Sequence, residues 1–113
     1  MEFSSALKLN HIFRKLYSTQ AYAGSMLVLY ARKNRLERNR VGITVSKKLG
    51  GAVVRNRARR RLREAYRLHE AAFSPGWDIV VVARSRCIDA PFDKLSGQYL
   101  SLAEKAGILK EAL

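Results

Sequence analysis

Between Lys47 and Arg67 the chain gathers nine of its 22 Lys and Arg residues, and Glu64 is the only acid among them. At about 100° per residue, Val54, Ala58, Leu62, Ala65, Tyr66, His69, Ala72 and Phe73 collect on one apolar face of a helix. Arg59, Arg63 and Arg67 step along one flank with Arg60 beside them, and Arg57 and Arg61 lie farther round. One side of this helix must therefore pack on a sheet while most of the rest is guanidinium. A lone pair of arginines on a helix is ordinarily a solvated face. Here like charges at i, i+4 cost roughly 0.2–0.5 kcal/mol per pair, and the segment stacks several. Phosphates reverse that sign, and Arg can grip them with bidentate bonds that Lys cannot make.

The remaining periodicities predict the elements around it. Leu9, Ile12, Phe13 and Leu16 form a helical stripe within Ser5–Tyr17, with Lys8, Arg14 and Lys15 off it. A short edge strand is expected at Ala21–Ala23 and a buried strand over Ser25–Ala31. Arg32–Arg40 reads as a basic connector, too charged to pack, closing a hairpin. Arg40–Ser46 alternates, with Val41, Ile43 and Val45 on one face and Gly42, Thr44 and Ser46 on the other. The central helix is expected from about Ala52 to Ala72, stopping at Phe73-Ser74-Pro75-Gly76 because proline disfavours helix in the residue before it. Trp77–Arg84 is a second buried strand, Cys87–Pro91 a loop, and Phe92 onward a helix carrying Leu95, Tyr99, Leu102 and Ala106. The order of helices and strands is that of an α+β two-layer sandwich.

A chain of 113 residues is one domain, residues 1–113, and 48% apolar residues suffice for one modest core. Its formal net charge of +13 calls for a polyanionic partner and argues against a small-molecule substrate. The single cysteine, Cys87, suggests a reducing compartment. Nothing at the start of the sequence reads as a signal peptide, and the apolar runs Met26–Ala31 and Ile79–Ala83 are too short for a membrane span. The expectation is a cytoplasmic polyanion binder without a membrane partner.

No protein active site stands out. His11 and His69 are isolated, the acids form no pair suited to two-metal phosphodiester cleavage, and no metal-ligand set is present. Cys87 reads as an ordinary thiol. Asn56, between Arg55 and Arg57, reads either as a cap or as an amide that reaches a base edge, sugar or hydrated ion. Gly50-Gly51 reads as a strand-to-helix turn or as a close approach for an anion.

Val45–Arg67, VSKKLGGAVVRNRARRRLREAYR, closely resembles the signature of the bacterial ribonuclease P protein subunit family. LKLNHIFRKLY at Leu7–Tyr17 resembles its first helix and WDIVVVAR at Trp77–Arg84 its last strand. The resemblance implies an α-β-β-β-α-β-α order, a mixed sheet and a left-handed βαβ crossover, as in the second domain of ribosomal protein S5. It also implies a protein that assists a catalytic RNA in removing the 5′ leader of precursor tRNA. Lys47, Lys48, Arg55, Asn56, Arg57, Arg59, Arg60, Arg63 and Arg67 are then expected to contact the catalytic RNA. Phe13, Tyr17, Tyr30, Thr44 and Ser46 would line a cleft for single-stranded leader. By spacing alone Phe13 and Tyr17 are core aromatics; the resemblance makes them stacking platforms. The catalytic groups would lie in the RNA, with Mg2+ held there and no cofactor bound by the protein alone. Arg61 stands where the family usually has an aliphatic residue, and Met1–Ala6 lacks the family's usual cations. Rival classes of similar composition are a ribosomal protein, an autonomous endoribonuclease and a peripheral membrane binder.

Overall fold

Ile79, Val80, Val81 and Val82 are aliphatic on both faces, and a strand with two apolar faces belongs in the middle of a sheet. In the computed structural model, which describes the backbone of residues 4–6 and 10–110 and the side chains of residues 14–110, β5 (Trp77–Ala83) takes that position. Around it lie β1 (Ser4–Ala6), β2 (Tyr22–Ala23), β3 (Leu27–Lys33) and β4 (Asn39–Thr44), in the spatial order β1-β4-β5-β3-β2. The helices are α1 (Asn10–Tyr17), α2 (Ala52–His69) and α3 (Phe92–Lys105). Strand β4 runs parallel to β5 with α2 as their crossover, whereas β3 runs antiparallel to β5. The sheet is mixed and the fold α+β, as expected.

Alternation along the strands divides the side chains between two faces. Leu27, Leu29, Val41, Ile79 and Val81 face the main core, which α2 closes with Ala58, Leu62, Ala65 and Tyr66 and α3 with Leu95, Tyr99 and Leu102. The other face is covered by α1, where Leu16 is fully buried with Val80 against Tyr30 and Val82. No helix among the described residues is long and apolar enough to cross a membrane.

Four local expectations are revised. The helical stripe from Ser5 is shorter, because α1 begins at Asn10 and Ser4–Ala6 instead pairs in parallel with Asn39–Val41, covering the outer edge of β4. The periodic apolar positions all start at Leu9, so nothing in the pattern demanded helix before it. The connector after β3 does not close a hairpin: β3 and β4 flank β5 rather than each other. Nor is that connector unpacked. Asn39 is fully buried, accepting the Trp77 N–H at 2.8 Å and donating to the Tyr66 hydroxyl at 3.2 Å. Arg40 donates to both carboxylate oxygens of Asp78 at 2.6 and 2.7 Å, and Asn34 adds a third bond to that carboxylate at 3.0 Å. The hydrogen bond to Asp78 lifts the Arg40 pKa above its ordinary value against the opposing effect of burial. Finally, Ala72 is exposed rather than part of the apolar face, because the chain tightens into a 3-10 turn at Glu70–Ala72 and the 100° spacing no longer holds.

Candidate nucleic-acid interface

Helix α2 buries its apolar side and turns its arginines outward. Arg57, Arg60, Arg63 and Arg67 are exposed, while Arg55, Arg59 and Arg61 are half-buried at the flanks. Their local partners differ. Asn56 accepts from Arg59 Nη1 at 3.0 Å, so its amide steadies an arginine one turn on. Arg67 pairs with Glu64 through bonds of 2.9 and 2.5 Å, which lowers the Glu64 pKa and raises that of Arg67. Arg60 and Arg63 have no hydrogen-bond or ion-pair partner among the described residues. Their charge is available to an incoming anion without breaking an existing bond.

Arg61, singled out as a departure in the sequence, has a structural occupation. Its guanidinium donates to the carbonyls of Cys87 at 3.0 Å, of Ile88 at 2.5 Å and of Ala90. Arg57 Nε adds a bond to the Ile88 carbonyl at 3.1 Å. These arginines clasp the segment leading into α3. Carbonyl acceptors presented by a loop leave no mark on side-chain spacing, so the sequence carried no signal for this clasp.

The opposite face of the sheet is organised in rows by strand register. Arg32, Asp78 and Arg40 form one row; Tyr30, Val80 and Gly42 the next; Val28, Val82 and Thr44 the third. Helix α1 lies over this face. Tyr17 stands 43% exposed, with its ring edge-on to Tyr30 at 5.1 Å between centroids. Its hydroxyl is 3.2 Å from the Thr44 hydroxyl. Gly42 contributes no side chain to its row, and Val80 in that row is fully buried with Leu16 of α1, with Tyr30 packed against them. Tyr17, Tyr30 and Thr44 are thus brought together in one aromatic and hydroxyl-bearing patch. The Phe13 side chain lies outside the described residues; its backbone sits one helical turn before Tyr17. Ser46 is exposed two residues past Thr44, where its hydroxyl accepts the Lys48 N–H at 3.2 Å and caps a short 3-10 turn, Lys47–Leu49. Lys47 and Lys48, both exposed, therefore sit on the link between the cleft strand and α2. Arg32 shares the cleft face by register, a placement that depends on β5 lying between β3 and β4.

His69 is half-buried at the end of α2, and Cys87 is fully buried. Burial pushes the Cys87 thiol pKa up, with Arg61 pulling weakly the other way. Among the described residues no group of three or more His, Cys, Asp and Glu side chains is placed to hold a metal ion.

A family model described as Ribonuclease P matches residues 1–107. The ribonuclease P protein component of Alkaliphilus oremlandii is 38% identical over 114 residues, covering all of both chains. That of Clostridioides difficile is 41% identical over 112 residues, covering 96% of this chain and 98% of its own. Among solved structures, the Staphylococcus aureus RNase P protein superposes with a TM-score of 0.81 at 30% identity, covering 93% of this chain and 97% of that one. The RNase P protein of Thermotoga maritima gives 0.79 at 28% identity, covering 88% and 96%.

Proposed function

The chain belongs to the ribonuclease P protein family, a component of the ribonuclease P endoribonuclease that associates with the enzyme's RNA, and we propose that it engages two RNAs at once on opposite sides of its sheet. The exposed arginines of α2, with Lys47 and Lys48 at its approach, bind the catalytic RNA through its phosphates. The cleft of Tyr17, Tyr30 and Thr44, with Phe13 and Ser46 at its ends, takes the single-stranded 5′ leader of precursor tRNA. Aromatic faces stack on bases without selecting sequence, which suits leaders that differ between tRNAs.

The observation that carries this reading is that the two surfaces lie on opposite sides of the sheet. Partnerless guanidiniums lie on one side, and the edge-on Tyr17–Tyr30 pair lies beside a hydroxyl on the other. Such a layout tethers the substrate to the enzyme's RNA through one small basic body. The chain also lowers the repulsion between two polyanions by placing its positive charge between them. Cleavage itself falls to the RNA: the protein supplies binding and orientation, and Mg2+, when bound on RNA phosphates, would supply Lewis-acid chemistry there. The setting is the cytoplasm.

Reconstitution tests this. Protein purified free of RNA leaves precursor tRNA intact, and adding the catalytic RNA brings cleavage at the mature 5′ end. Site-specific cleavage by RNA-free protein, abolished by His11→Ala or His69→Ala, would overturn the assignment of catalysis to the RNA.

A further inference from the structure

Beside the outer ridge of α2 runs an open groove of about 480 Å³ lined by Arg57, Arg60, Arg61, Glu64 and Phe92. Its volume falls within the range of about 300–1,000 Å³ typical of small-molecule sites. Phe92, the first residue of α3, is half-buried: one part of its ring packs on the main core and the rest forms a wall of the groove. Three arginines, Arg57, Arg60 and Arg61, line the groove together with that ring. The one carboxylate in the lining, Glu64, is paired by two bonds to Arg67, which offsets its charge.

The groove is also stiffened. Arg61 and Arg57 are pinned to the carbonyls of Cys87, Ile88 and Ala90. The pinning has two effects: it holds α2 and the start of α3 at a set separation, and it covers carbonyl dipoles that would otherwise repel a phosphate. Arg60, without a partner among the described residues, is left at the mouth. An apolar ring flanked by cations over a rigid base is the chemistry that holds a nucleotide by its base face and its phosphate together.

We infer that this groove receives one unstacked nucleotide of the catalytic RNA, its base against Phe92 and its phosphate on Arg57 and Arg60. The occupant is assigned to the catalytic RNA because the groove is continuous with the arginine ridge and lies across the sheet from the leader cleft. This rests on the proposed role of α2, and adds to it a contact that is not electrostatic. Phosphate contacts alone would make binding depend on charge and salt only; a stacked base adds affinity that salt does not remove.

The test uses full-length protein and catalytic RNA in filter binding across a salt titration, with melting curves for each variant. Phe92→Leu retains aliphatic packing on the core but removes the stacking face. It is expected to weaken binding by about five- to 140-fold, the equivalent of one stacked base, with the slope against salt unchanged. Phe92→Tyr should restore affinity. Photo-crosslinking with 4-thiouridine-substituted RNA should attach a single nucleotide to the peptide containing Phe92. If Phe92→Leu binds like the parent while Arg60→Glu with Arg63→Glu weakens binding, the groove holds no base and the role of α2 stands. If neither variant changes affinity, both readings fall. A loss with Phe92→Leu that Phe92→Tyr does not restore marks a packing role and overturns the inference.

Discussion

Tyr17 and Thr44, 27 residues apart in sequence, meet hydroxyl to hydroxyl at 3.2 Å across the space between α1 and the sheet. The bond ties the last residue of a short helix to the end of β4, and the Tyr17 ring stands edge-on to Tyr30 beside it.

If those rings stack on leader bases, Tyr17→Ala and Tyr30→Ala should each cost about 1–3 kcal/mol in binding of precursor tRNA to the holoenzyme. Binding of mature tRNA should be unaffected. Tyr17→Phe keeps the ring and loses the hydroxyl that meets Thr44, so it should retain most of the preference for precursor. Equilibrium binding of substrates with progressively shortened leaders reads this directly.

Arg60 and Arg63 are exposed and carry no bond to the described residues, so reversing both to Glu should leave stability within about 0.5 kcal/mol of the parent. Affinity for the catalytic RNA should fall steeply. The log–log dependence on salt should become shallower by roughly 0.7–0.9 for each phosphate that the variant no longer neutralises. Arg57 is a poor choice for the same experiment, since its bond to the Ile88 carbonyl gives it a part in the fold.

Arg61→Leu removes the donors to Cys87, Ile88 and Ala90 and leaves half-buried carbonyls without their charged partner. A loss of about 1.5–3 kcal/mol in urea unfolding is expected. Arg61→Lys should recover little of it, because a single ammonium cannot span carbonyls that the planar guanidinium fork reaches together.

Cys87 and Tyr99 are buried, and desolvation raises both pKa values above those of free side chains. A raised pKa means the folded protein holds these protons more tightly than the unfolded chain does. Their contribution to stability is thus intact below the unfolded pKa values, and is lost as pH rises through the folded ones. The urea midpoint should be flat with respect to these groups through neutral pH and fall as the pH climbs past about 8.5, where an unfolded thiol begins to ionise. Cys87→Ala should reduce that alkaline fall. In the native protein at neutral pH, the Cys87 thiol should react with thiol reagents far more slowly than in urea.

Legibility in the sequence followed the range of the interactions. The arginine face of α2 and the aliphatic run of β5 repeat over short distances, and periodicity located both, missing the 3-10 turn that ends the helix three residues early. Pairing order is another matter. Arg32–Arg40 has every local mark of a hairpin loop, and only the partner that inserts between β3 and β4 shows otherwise. A signal did exist: Ile79–Val82 is apolar on both faces, which demands a central position. Asp78 beside that run was a second signal, since a carboxylate adjoining a central strand needs cationic or amide partners, and Arg40 and Asn34 supply them. The arginine face was legible as a surface but not in its internal pairing. The bonds of Arg67 to Glu64 and of Arg61 to carbonyls depend on rotamers and on a loop, which a helical projection does not contain. In the cleft, Tyr17, Tyr30 and Thr44 come from three elements, and family resemblance rather than spacing grouped them.

The central place of β5 bears on how the chain is made. During synthesis the first 76 residues can form only two separate ribbons, β2 with β3 and β1 with β4, because nothing joins β3 to β4 until Trp77–Ala83 arrives. Helix α2 leaves the ribosome before that strand, so its arginines are exposed to cellular polyanions while its apolar side still lacks a finished sheet to cover. A nascent chain in that state combines exposed apolar surface with a high density of positive charge, conditions under which partly folded proteins aggregate. Early capture of the arginine face by RNA would shield the charge and hold α2 in helical form until the last strand closes the sheet.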